Sequence, residues 1–164
     1  MKSGAWKHFV IAGLFAIVLY VASFSFIEHM RQRKGGWRVT FASDAAGRPE
    51  VTVTQPVLNI TNVRFRFSGE MIAATNLNKT IVFDSPITNA PFGQVIFIDT
   101  TFLPGTLTFD FFGHEVQLLP RILIVNKREV PWQSGQKIEL TPGEKLPLEV
   151  RKRLRRIDRP GPSE

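Results

Sequence analysis

Hydrophobic positions along the chain follow two patterns. Residues 9–27 form an unbroken apolar run with no charge, and its only polar groups are the hydroxyls of Tyr20, Ser23 and Ser25. As a helix rising about 1.5 Å per residue the run spans about 29 Å, close to the roughly 30 Å hydrocarbon core of a bilayer. In that setting every backbone polar group must be satisfied within the helix, and the two serines can bond back to carbonyls one turn earlier. From Trp37 onward apolar and polar residues alternate instead. Trp37-Arg38-Val39-Thr40-Phe41, Val51-Thr52-Val53-Thr54, Val63-Arg64-Phe65-Arg66-Phe67 and Leu107-Thr108-Phe109-Asp110-Phe111 each put one face on a core and the other in water, as half-buried strands do. Ile81-Val82-Phe83, Val95-Ile96-Phe97-Ile98 and Ile122-Leu123-Ile124-Val125 are short β-branched runs that predict central strands. A last strand is expected over 137–140 and a further one over 146–150, with a brief helical turn at 72–74.

Turn residues separate these segments: Gly47 and Pro49, Pro86 and Pro91, Pro104 and Gly105, Ser134 and Gly135, Pro142 and Gly143. Residues 111–115, Phe-Phe-Gly-His-Glu, read as a turn or bulge. Eight or nine strands at this spacing predict an all-β domain, an immunoglobulin-like antiparallel sandwich or a small barrel, behind a single N-terminal transmembrane helix. The expected divisions are a short tail (1–8), the span (9–27), a charged connector (28–36) broken by Gly35 and Gly36, the β domain (37–150) and a basic tail (151–164).

Charge sharpens this division. The net +7 is split unevenly. Residues 1–38 hold six Lys/Arg against one acid, residues 39–150 nine against eleven, and residues 151–164 six against two. The β domain is thus nearly neutral, whereas a nucleic-acid-binding fold carries its basic patch on the fold itself. Nucleic acid is therefore not the expected partner. Basic ends beside a membrane span point to anionic lipid or to an acidic partner. The residues concerned are Arg31, Arg33 and Lys34 after the span, and Arg151, Lys152, Arg153, Arg155 and Arg156 in the tail. Trp6 and Trp37 stand where interfacial aromatics belong.

A secretory signal is the competing reading of the N-terminus, with Lys2 and Lys7 as its basic region. Ser23-Phe24-Ser25 is a poor cleavage pattern, and the apolar run continues past it, so an uncleaved anchor is expected. The chain has no cysteine, which removes a lipoprotein anchor, disulfides and thiolate chemistry. Lys/Arg counts beside the span favour a cytoplasmic domain. The short N-terminal tail and cysteine-free β domain favour export across a cell (inner) membrane, and the reading leans to the exported side.

Candidate chemistry is sparse. His114 is the only histidine of the domain. With Asp110 or Glu115 it could serve as a base or metal ligand, but metal sites draw on three or four ligands. There is no nucleophile elbow, phosphate-binding loop or zinc-peptidase motif, so neither an enzyme nor a metal or other cofactor is expected. Phe92, Phe102 and Phe112 lie beside turns, and with His114 they form the expected partner-binding set; the plainer reading is that the phenylalanines cap the core. An anchor carrying a β-sandwich resembles, in outline, the copper chaperones of cytochrome oxidase assembly. Those use a cysteine pair, so the outline implies no copper function here. The expected role is a non-catalytic accessory or assembly subunit, its β domain docking on other integral membrane subunits at the membrane surface. A free-standing tethered module for a ligand or envelope polymer is the alternative, and an enzyme centred on His114 comes third.

Overall fold

The structure, a computed structural model, describes residues 3–86, 89–101 and 104–150, with the backbone alone for residues 3–5, 28 and 30–34. The chain divides into two compact units, residues 1–34 and 35–164.

In the first unit, helix α1 runs Ser3–Lys34, and its 32 residues are about 48 Å long. The stretch Trp6–Ile27 is long and apolar enough to cross a membrane. It shows no apolar stripe, and its side chains are exposed on every side, so it offers no single face to a core. The charged residues 28–34, expected as a connector, continue the helix. Gly35 then adopts a left-handed φ of +61° and ends it. Gly36 is required by space: a Cβ there would stand 2.1 Å from the carbonyl oxygen of Phe83.

The second unit holds two five-stranded sheets. Its strands are β1 (Trp37–Ser43), β2 (Pro49–Gln55), β3 (Ile60–Phe67), β4 (Asn78–Phe83), β5 (Gln94–Ile98), β6 (Leu107–Phe111), β7 (His114–Leu118), β8 (Leu123–Val125), β9 (Arg128–Val130) and β10 (Lys137–Leu140). The first sheet has the order β10-β3-β2-β1-β4, and the second is a meander, β5-β6-β7-β8-β9. Neither closes on itself, so the small barrel is not formed. The architecture is also not wholly antiparallel, because β10 lies parallel to β3 with Ile138 beside Phe65.

The sheets share one core, and the alternation places it correctly. Trp37, Val39 and Phe41 of β1 are buried beside Val53 and Val51 of β2, and Phe65 continues the row on β3. Phe41 meets Phe109 and Phe111 of the second sheet edge-on, with ring centroids 6.3 Å apart, and Phe83 meets Phe109 at 5.4 Å. Such aromatic pairs add to the burial they already provide.

Two strands lie where none was expected. His114 begins β7, so the 111–115 turn shrinks to Phe112 and Gly113, with φ of +53° and +99°. Asn126 and Lys127, at +49° and +69°, turn β8 into the short β9. Positive φ at both central residues is what a two-residue hairpin turn of this hand demands. Residues 148–150 form a helical turn instead of a strand, and residues 72–74 are irregular.

Candidate functional site

β6–β7 and β8–β9 reverse at the same end of the second sheet, and their turns bring His114, Glu115, Asn126 and Lys127 together. His114 lies across from Phe111 and shares its inward-facing side. It is 1 % exposed, with its ring 6.3 Å from that of Phe67. Asn126 joins the hairpins. Its Oδ1 accepts from the backbone N–H of Glu115 at 3.1 Å, which leaves its Nδ2 to donate to His114 Nδ1 at 3.0 Å. Nδ1 is then an acceptor, so the neutral ring carries its proton on Nε2. Burial holds the His114 pKa below the ordinary imidazole value, the Lys145 ammonium lowers it further, and Glu144, Glu70 and Asp110 oppose the shift. A neutral, buried imidazole held by an amide belongs to the core.

The expected contact residues fare differently. Phe92 is buried against Phe41 and Phe111, and Phe112 is half-buried, stacked on Phe92 at 5.8 Å and edge-on to Phe67 at 5.2 Å. These phenylalanines cap the core, as the plainer reading has it. His114 is buried beside them, and Phe102, the remaining member of the expected partner-binding set, lies outside the described residues. Trp37 also needs correction: at 1 % exposure it is a core residue, donating from its indole N–H to the Gly105 carbonyl at 2.7 Å and stacking on Trp132 at 5.3 Å. It cannot sit at a lipid interface. Trp6 is exposed on α1. Arg31, Arg33 and Lys34 belong to the last turns of α1. Phe102 and the tail residues Arg151, Lys152, Arg153, Arg155 and Arg156 lie outside the described residues.

Among the described residues, no three His, Cys, Asp or Glu side chains converge on a point that could hold a metal. A polar groove of about 590 Å³ crosses one end of the first sheet, lined by Asp44, Arg48, Glu50, Arg66 and Glu139 among others. Both of its arginines are paired with acids, and one acid remains in excess. Arg48 Nε reaches Asp44 at 2.6 Å, Arg66 Nε reaches Glu50 at 2.7 Å, and the Ser68 hydroxyl donates to Glu139.

A further surface is the edge of β5, which pairs on one side only among the described residues. The four edge strands differ in chemistry: β4 carries Lys79, β9 carries Arg128 and Glu129, β10 carries Lys137 and Glu139, but β5 (Gln-Val-Ile-Phe-Ile) carries no charge. Charged residues on an edge discourage pairing with another chain. β5 lacks that protection, and Phe97 on its outer side is 46 % exposed. The signal was present in the sequence as an uncharged β-branched run, but such a run equally describes a central strand.

Comparison with protein-family models, with curated proteins and with solved structures finds no match for this chain.

Proposed function

We propose that this chain is a non-catalytic, membrane-anchored accessory subunit that docks on a partner subunit through the β5 edge of its exported β domain. The observation that carries the reading is the contrast among the four edges: three are charged, and the fourth is uncharged with an exposed phenylalanine. An unpaired edge offers backbone donors and acceptors to an added strand, while side chains such as Phe97 select the partner. The apolar span Trp6–Ile27 supports the anchor. The containment of His114 in the core supports a non-catalytic role.

The expected partner is another integral membrane protein presenting an uncharged extended segment. A photoreactive residue at position 97 of the full chain should crosslink to one defined membrane protein, and the same residue at position 64 should not. Phe97→Lys should abolish the crosslinked assembly while leaving the circular dichroism of the domain unchanged. Equal crosslinking from both positions would remove the docking edge. The groove lined by Asp44, Arg48, Glu50, Arg66 and Glu139 favours the second reading, a tethered module for a polar ligand or envelope polymer. Under that reading, substitutions in the groove would impair function while Phe97→Lys would not.

A further inference from the structure

The chain enters the β domain at a fixed point. Gly35 and Gly36 belong to the domain's compact unit, and the Gln55 side chain holds both. Its Nε2 donates to the Gly36 carbonyl at 2.9 Å and to the Gly35 carbonyl at 3.3 Å. Gln55 is 1 % exposed, and its Oε1 accepts from the backbone N–H of Val57 at 3.2 Å. The amide thus uses its donors and its acceptor on backbone groups. One buried side chain therefore ties the point of entry to the single 3-10 turn Pro56–Leu58. Pro56 and Val57 are exposed in that turn, Val57 to 50 %. A lone exposed valine is ordinary, so the argument rests on where this one stands.

Residues 28–34 continue helix α1 beyond the apolar stretch that ends at Ile27. The eight residues from Ile27 to Gly35 cover about 12 Å as helix, a limit that holds at any tilt. With Trp6–Ile27 filling the hydrocarbon core, a headgroup layer about 5–7 Å deep leaves the entry point at most about 7 Å outside it. The 56–58 turn is bonded beside that point. β1 also starts here: Arg38, exposed, stands across from Thr54 of β2 and from Val82 of β4, which is 39 % exposed. The groove acids Asp44, Glu50 and Glu139 lie toward the other end of the sheet, about 20 Å along the seven residues of β1. Met71, also exposed, sits at that far end, since the N–H of the adjacent Ile72 donates to Gly47 between β1 and β2.

We propose that the 56–58 turn is a lipid contact, with Val57 entering the headgroup layer of the membrane that holds α1 and Arg38 turned to lipid phosphate. The domain would then be held at two points instead of being tethered at one. A lipid surface is the fitting occupant because an apolar stretch of spanning length leads directly into this end. Apolar side chains beside a cation suit an anionic interface. The inference rests on the reading of Trp6–Ile27 as a span, and it is independent of the β5 edge.

The test uses the full chain, which has no cysteine. Val57→Cys, Met71→Cys and Leu14→Cys are each labelled with nitrobenzoxadiazole and reconstituted in vesicles of phosphatidylcholine and phosphatidylglycerol. Lipid carrying a nitroxide on its headgroup or in mid-chain is then included. The label at 57 should lose fluorescence to the headgroup nitroxide, and the label at 71 should not. The label at 14, inside the apolar stretch, should lose fluorescence to the mid-chain nitroxide. Equal quenching at 57 and 71 overturns the contact, while quenching at 14 keeps the span. No quenching at 14 removes the span and the proposal with it. If the label at 57 disturbs the turn, the natural chain decides, photolabelled by a lipid with a diazirine in its headgroup. Adducts on residues 56–58 support the contact, and adducts confined to residues 1–34 overturn it.

Discussion

On the outer side of the first sheet, Thr40, Thr52 and Arg64 share one row, and Ala42, Glu50, Arg66 and Glu139 share the next. Arg66 and Arg64 reach Glu50 at 2.7 and 4.0 Å, and both guanidinium groups remain well exposed. On the second sheet the corresponding positions hold Thr108, Asp110 and Glu115, all buried, and Glu115 keeps an oxygen without a partner. The first surface is a solvated face of exposed ion pairs, each contributing little to stability. The second holds polar groups away from water, where pairing matters far more. At the edges the sheets differ less: β4 and β10 of the first and β9 of the second are charged, and only β5 is not. Folding alone requires neither a buried acid pair nor an unprotected edge, so contact with another protein is best sought on the second sheet.

The two sheets should agree at their shared core. Phe65 and Phe109 face the shared core from opposite sheets and are fully buried. Phe65→Ala and Phe109→Ala should each cost about 3–5 kcal/mol in denaturant unfolding, the usual range for a deleted core phenylalanine. A cost confined to one of them would mean that the sheets do not share a core.

The outer faces should then disagree. Lys127→Met leaves the buried Glu115 carboxylate with the Gln117 amide alone. It should cost about 1–3 kcal/mol, the penalty for a buried polar group that loses its partner. Arg64→Ala, on the first sheet, should stay within about 0.5 kcal/mol because it removes an exposed side chain at the limit of ion pairing. Equal effects would erase the distinction between wet and dry faces.

The smallest effect concerns pH. Folding holds the His114 pKa below its ordinary value near 6.5, mainly through burial. Between the folded and unfolded values, the unfolded chain therefore binds a proton that the folded chain refuses. This contribution to stability is complete above about pH 6.5 and is lost as pH falls through 6.5 toward the lowered value. The thermal midpoint of the natural chain should fall between pH 7 and 5 more than that of His114→Gln. Parallel profiles would place the imidazole in water.

How far the sequence revealed this fold depended on whether a segment's side chains alone set its environment. The long apolar helix was legible because a charge-free run of this length has few uses, and β1, β2, β3 and β6 were legible because alternation fixes which face is wet. β7 also alternates, with His114, Val116 and Leu118 inward. It was hidden because its turn places Phe112 at positive φ, where Asn or Gly is the usual signal. Lys127 obscured β9 in the same way. Trp37 was misplaced because proximity to the span in sequence suggested lipid, whereas the alternation it begins points to the core. The pairing of Lys137–Leu140 with β3 was out of reach, since a partner some 70 residues away leaves no local mark.

That last pairing has a consequence for the order in which the domain is made. β10 is the last strand among the described residues, yet it lies in the same sheet as the first. The second sheet is a run of neighbours and can form as it is synthesised, whereas β3 keeps an open edge until residue 140 has been delivered. A chain stalled or cut before that point would display Ile60–Phe67 as an open sheet edge, a template for joining other chains. Non-local closure of this kind is also slow. The domain therefore depends on whatever keeps neighbouring chains apart between synthesis of the second sheet and arrival of the last strand.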